Sequence, residues 1–187
     1  MNMPRITKVY AIDYRDGFEW LLPVENQDFE HLRFEGTPRA MTWQPVEMKR
    51  VKEDEDGTRW KPGDFPACSG GNMLLVSATA KALLEPVLRE AGELLPLRCA
   101  DGDFWALNVT RLIDAFDEDK ADVLRSSDGE RILMIHRHAF LTERLGPEMF
   151  KLSRTPRGLI YVTETFVKRV KATSLKGLDF KLVWAAN

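Results

Sequence analysis

A chain of 187 residues, 44% apolar and 30% charged with a net charge of −2, can build a full core and has no overall electrostatic pull toward nucleic acid or anionic lipid. No stretch approaches the roughly 20 apolar residues of a membrane-spanning helix, and the length suits one domain or one domain with a small appended lobe. The opening Met1-Asn2-Met3-Pro4-Arg5-Ile6-Thr7-Lys8 lacks the apolar run of a secretory signal, so the chain is expected to stay in the cytoplasm, where it is made.

Four Asp-Gly pairs punctuate the sequence: Asp16-Gly17, Asp56-Gly57, Asp101-Gly102 and Asp128-Gly129. A two-residue type I′ turn needs positive φ at both central positions, which Asp-Gly tolerates. Before the first pair, Tyr10, Ile12 and Tyr14 alternate with Val9, Ala11 and Asp13; after it, Phe18, Trp20 and Leu22 alternate with Glu19 and Leu21, which reads as strand, tight turn, strand. Residues 26–39 read as a loop, and Asp56-Gly57 as the tip of a charged, exposed hairpin between residues 41–52 and 58–60. Residues 63–72 read as a second loop. A boundary near residues 62–65 would divide a hairpin-rich N-terminal lobe, 1–62, from an α+β domain, 63–187.

The first helix follows. Ala80, Leu83, Leu84, Val87, Leu88 and Ala91 form one apolar stripe, with Ser77 as N-cap, Gly92 as C′ residue and Lys81, Glu85 and Arg89 spaced to pair. Pro86 should kink or split it. Asp101-Gly102 then separates strands 94–99 and 104–109, Asp128-Gly129 precedes the alternating run 131–138, and Arg157-Gly158 joins 149–153 to 159–162. A shorter helix has Thr163 as cap, Phe166, Val167 and Val170 as its buried side, and Glu164 and Lys168 as a pair; it ends before Gly177. Both helices sit in a strand–cap–helix–Gly–strand setting, which common chain punctuation explains. In the last strand Leu178, Phe180, Leu182 and Trp184 alternate with Asp179, Lys181 and Val183. The predicted class is α+β: mostly antiparallel sheet built from β-hairpins, with two principal helices packed on it.

Chemistry-bearing patterns are few. Cys68 and Cys99 form neither a C-x-x-C pair nor a zinc-type spacing, so two core thiols are expected, a single bridge being the alternative. His136 and His138, two apart in a strand, leave the same face together with Ile132 and Met134, and no third metal ligand is placed near them. His31 stands alone in a polar loop. Ser69-Gly70-Gly71 lacks the strand-to-helix elbow of a G-x-S-x-G nucleophile and is no phosphate loop. No catalytic residue, metal or cofactor is predicted. Asp114, Asp117, Glu118, Asp119 and Asp122 are not a calcium loop; they read as a solvated run or as an acidic docking surface for a basic partner. Residues 151–187 are basic, but their aromatics Phe166, Phe180 and Trp184 fall at core-facing periods, so neither nucleic acid nor a membrane is expected as partner.

In order, several segments resemble a bacterial family, the eleventh of the polymorphic-toxin immunity families, formerly a domain of unknown function. They are Asp64-Phe65-Pro66; Leu74-Leu75-Val76-Ser77 with Ala80, Leu83 and Leu84; Glu93-Leu94-Leu95-Pro96-Leu97; Asn108-Val109; and Asp114 and Asp117 around Ala115-Phe116. Phe150-Lys151-Leu152, Tyr161-Val162-Thr163 with Phe166, and Leu175-Lys176-Gly177-Leu178-Asp179-Phe180 complete the set. The likeness runs from about Asp64 to Trp184. It departs from the family after Asp117, where a serine is usual and residues 117–122 contain none. The resemblance implies a non-enzymatic antidote that neutralises a cognate toxin domain by direct binding in the cytoplasm. Two alternatives remain open: a metal-dependent enzyme around His136 and His138, and a scaffold that self-associates through a sheet edge.

Overall fold

The fold is organised around its first strand. In the computed structural model, which describes residues 6–186, strand β1 (Lys8–Tyr14) lies in the interior of a five-stranded sheet. Residues 1–5, part of the segment read above as lacking a signal, and Asn187 lie outside the described residues. In chain order follow β2 (Trp20–Pro23), β3 (Met48–Val51), β4 (Leu75–Ser77), helix α1 (Ala78–Ala91), β5 (Gly92–Pro96), β6 (Phe104–Val109), β7 (Leu112–Ile113), β8 (Asp122–Arg125), β9 (Ile132–Arg137), β10 (Met149–Leu152), β11 (Tyr161–Thr163), α2 (Glu164–Lys171) and β12 (Leu178–Ala185). The large sheet has the order β12-β1-β11-β10-β7, and only its β7–β10 pair is parallel. A three-stranded sheet runs β4-β6-β5, while β2 pairs with β3 and β8 with β9. The class is α+β with mostly antiparallel pairing, as expected.

Three cores follow from this order. Ile12, Met149, Val162 and Leu178 on one face of the large sheet meet Val76, Leu107 and Val109 of the small sheet, with Ala80, Leu84, Val87, Leu88 and Ala91 of α1 and Phe166, Val167 and Val170 of α2. Val9, Phe150, Leu152 and Tyr161 leave the opposite face of the large sheet and pack with Ala115, Phe116 and Phe140. The other face of the small sheet, with Leu75, Leu95, Phe104 and Ala106, packs on Leu21, Leu32, Phe34, Val46 and Met48, so one core draws residues from both sides of Pro62. Cys68 belongs to that core and Cys99 packs against it; both are free thiols.

The turns differ from expectation in one respect. Among the described residues no non-glycine has positive φ, so each Asp-Gly places only its glycine in the left-handed region and no type I′ turn forms. Asp16-Gly17 joins strands of different sheets: β1 pairs with β11 and β12, β2 with β3. The other three pairs do lie between antiparallel neighbours, β5–β6, β8–β9 and the bridged residues Glu53 and Arg59. Arg157-Gly158 lies between the antiparallel β10 and β11.

Ser77 caps α1, its hydroxyl accepting the Ala80 N–H at 3.2 Å, and donates to the Asp64 carboxylate. That carboxylate also accepts the Lys176 N–H, so Asp64 ties the start of α1 to the approach to β12. Glu85 pairs with Lys81 and Arg89 as read. Leu83 is the exception in the stripe and is exposed. The helix runs through Pro86 unbroken, because Pro86 and Ala82, whose carbonyl loses its bond, are both exposed to water. Thr163 holds the N-cap position of α2 without a side-chain bond; instead Glu164 accepts from the Thr7 N–H and hydroxyl and the Lys8 N–H, which takes it from Lys168 and docks α2 on β1. Gly177 is no helix cap: it lies beyond the helix end at φ +99°, in the turn before β12. A register shift opposite Val9 and Tyr10 breaks the alternation of β12, leaving Leu182 exposed while Val183 and Trp184 pack inward.

Gly92 is required by crowding. Its φ of 170° is ordinary extended backbone, so it is not a left-handed C′ residue, but a Cβ there would lie 1.9 Å from the Asn108 carbonyl oxygen. Gly92→Ala is therefore expected to destabilise the protein by about 3 kcal/mol in urea unfolding; an unchanged midpoint would refute the crowding.

Candidate partner-binding surface

Strands β8 and β9 pair as a two-stranded sheet of their own. Asp128 shapes their turn, its carboxylate accepting from the Glu130 N–H, with Gly129 at φ +77°. Two register shifts interrupt the pairing, so the side chains do not alternate strictly. Val123, Ile132 and Ile135 turn inward onto the core of the large sheet, and Leu124, Leu133 and Met134 turn out, 50%, 60% and 55% exposed. Period-two reading placed Ile132 and Met134 on one face; the bulges separate them. Beside the hairpin lies a groove of about 670 Å³, walled by residues 131–135 on one side and 154–159 on the other, with His138 and Tyr161 also lining it.

The two histidines do not form a pair. His136 is exposed on β9, whereas His138 lies past the strand end. There its Nε2 is 2.9 Å from the Tyr161 hydroxyl, and its ring stacks on Phe140. Burial, with a smaller contribution from Lys181, pulls the imidazole down to about 4. Among the described residues no group of three His, Cys, Asp or Glu side chains is arranged to hold a metal ion.

The acidic run is largely occupied within the protein. Asp114 pairs with Arg144, and Asp117, almost fully buried, with Lys120 at 3.0 Å. Glu118 pairs with Arg125 and Arg154; the hydrogen bond from Arg125 is foremost in holding its carboxyl below the usual range. Asp119 and Asp122 are exposed and enter no salt bridge among the described residues. Arg154 and Arg157 of the groove wall are likewise engaged, Arg157 with Glu35 at 2.7 Å.

A second constellation went unread in the sequence. Glu93 and Asn108 face each other across β5 and β6, and the Asn108 amide donates to Glu93 at 2.9 Å and to the Thr37 carbonyl at 2.8 Å. The Glu93 carboxylate accepts the N–H groups of Arg39 and Ala40. Lys151, 1% exposed, donates to the Phe34 carbonyl, and burial pulls its ammonium down to about 8. Asn108 Oδ1 has no partner among the described residues, and such an orphaned acceptor costs about 1–3 kcal/mol. The signal was available: a polar residue at the head of one apolar run, Glu93-Leu94-Leu95, and inside two others, Leu107-Asn108-Val109 and Phe150-Lys151-Leu152.

Residues 19–184 match the Immunity protein family (Imm11). The chain belongs to that family. The match begins well before Asp64, so this immunity fold includes β2, β3 and the loop held by Glu93, Asn108 and Lys151. No curated protein matches the chain. No helix among the described residues is long and apolar enough to cross a membrane.

His138 gives this immunity protein a pH signature. The imidazole titrates near 6.5 when unfolded and about 4 when folded. Between those values the unfolded state binds the extra proton, so this contribution to stability is complete above 6.5 and is lost as pH falls toward 4. His138→Asn should flatten the stability–pH slope between pH 6.5 and 4, measured by urea unfolding at a series of pH values; an identical slope would show that His138 is protonated in the fold.

Proposed function

We propose that this chain neutralises a cognate bacterial toxin in the cytoplasm by direct one-to-one binding, without catalysing a reaction. Family membership supports the class of function, and one observation carries the mode: the hairpin β8–β9 leaves Leu124, Leu133 and Met134 exposed beside a groove of about 670 Å³. Apolar side chains held together at a surface by a packed hairpin are what a protein partner covers. The contact would approach about 1,600 Å², with a few anchors dominating its energy.

The decisive experiment is co-expression with the C-terminal domain of a large secreted protein encoded immediately upstream. This chain should restore growth and co-purify with that domain at one-to-one stoichiometry. Leu133→Asp with Met134→Asp should abolish rescue while leaving thermal unfolding within about 2 °C, because both side chains already face water. Full rescue by the double variant would remove the hairpin face from the interface.

The acidic run contributes to this reading through steering. With Asp114, Asp117 and Glu118 paired internally, Asp119 and Asp122 remain to attract a basic toxin surface. Asp119→Asn with Asp122→Asn should slow association about three- to tenfold at low salt and leave dissociation nearly unchanged, as read by stopped-flow or surface kinetics. An unaltered association rate with an unaltered salt slope would dismiss the acidic run from docking.

A further inference from the structure

We propose that residues 40–45 form a preorganised plug that inserts Met41 into an apolar pocket of the toxin domain; this inference rests on the immunity reading above. Met41 is 98% exposed on a short 3-10 turn, Ala40–Thr42. From Ala40 to Val46 the sequence Ala-Met-Thr-Trp-Gln-Pro-Val carries no charge, although 30% of the whole chain is charged. Interface centres are depleted of charge and enriched in Met and Trp, and methionine adapts its shape to an irregular pocket.

The turn is held from both sides. Upstream, Lys151 fixes the Phe34 carbonyl, Asn108 the Thr37 carbonyl, and Glu93 the N–H groups of Arg39 and Ala40. The Arg39 guanidinium donates to the His31 and Arg33 carbonyls and lies 5.5 Å from the centre of the Phe34 ring. Downstream, the Trp43 indole N–H donates to the Pro96 carbonyl at 2.8 Å, and its ring meets Phe34 at 6.0 Å. The clamp places charged and polar groups under apolar strands, where hydrocarbon would pack more favourably. What it produces is a fixed loop whose tip residue, Met41, stands in solvent. A loop ordered before binding loses less entropy on docking, and so binds more tightly for the same contacts. Arg157 lines the groove beside β9 and also pairs with Glu35 at the root of this loop, which ties the loop's root to the groove wall. The occupant that fits is an uncharged apolar pocket on the same toxin domain that covers the hairpin face.

The test measures binding of the upstream-encoded C-terminal domain, in an inactivated form, to the full chain by calorimetry. Met41→Glu should weaken binding about 30-fold or more, as expected for a central anchor, while Met41→Leu stays within about threefold. Neither change should alter thermal unfolding. Glu93→Ala should accelerate amide exchange at Arg39 and Ala40 and slow association, with Glu93→Gln restoring part of both. If the wild-type chain binds and Met41→Glu binds equally well, the plug is wrong and the immunity reading stands. If the wild-type chain does not bind that domain, both fall together. Equal amide exchange in wild type and Glu93→Ala would overturn the clamp.

Discussion

The architecture depends on β1 being hydrogen-bonded along both edges, by β11 and β12, with core on both faces. A strand in that position has a neighbour on each edge and offers no edge to a further strand. Later elements must therefore extend the sheet beyond β11, as β10 and β7 do, cover a face, or build a sheet of their own. The helices cover one face, with α1 also carrying the small sheet. The opposite face, around Phe150 and Tyr161, is covered by β8–β9 and the segment holding Phe116 and Phe140. Because β8–β9 covers a face and joins no sheet edge, its outer side faces solvent, with Leu124, Leu133 and Met134 exposed. The exposed leucines and methionine of that hairpin thus follow from where β1 lies.

Local signals were legible wherever structure is set by local chemistry. Ser77 with the α1 stripe, the turn at Asp101-Gly102, and the buried Phe166, Val167 and Val170 all depend on residues within a few positions of one another. The resemblance of the two strand–helix–strand units was also visible, and its structural content is now clear: β4 and β5 flank β6, and β11 and β12 flank β1, each pair antiparallel to its central strand. In the first unit the central strand comes next in the chain. In the second it lies at the opposite terminus, and no window on the sequence joins Lys8–Tyr14 to Leu178–Ala185. Asp16-Gly17 failed for this reason. The turn signal is real and Gly17 takes positive φ, but pairing of β1 is decided by distant strands.

Alternation misled where a bulge inserts an extra residue. Period two grouped Leu182 with Phe180 and Trp184, and Met134 with Ile132; after the register shifts Leu182 and Met134 lie outward, apart from those partners. The acidic run misled differently. Carboxylate density suggests a docking surface, yet Arg144, Lys120, Arg125 and Arg154 already neutralise most of it, and three of those four cations lie between 7 and 36 positions from their partners. Charge counted along a chain says little about charge left over after folding.

The residues hardest to read were polar ones inside apolar runs. Glu93, Asn108 and Lys151 look like flaws in strands β5, β6 and β10, and periodicity passes over them as noise. Each belongs to a stretch that resembles the family, which fits a role in the common fold as readily as one in recognition. What separates the two is the direction of their bonds. A purely structural polar group in a core satisfies its neighbours within the core, whereas these three reach out to the backbone of residues 34–40. A loop of that length does not fix itself, because each unpaired carbonyl and N–H would be solvated as well in many conformations as in one. By supplying partners from three strands that are themselves paired within sheets, the fold transmits its order to the loop, and the segment after it inherits a defined position. On the proposed reading, in which the folded surface itself binds the toxin, that transfer of rigidity from core to surface is the step that converts folding energy into recognition.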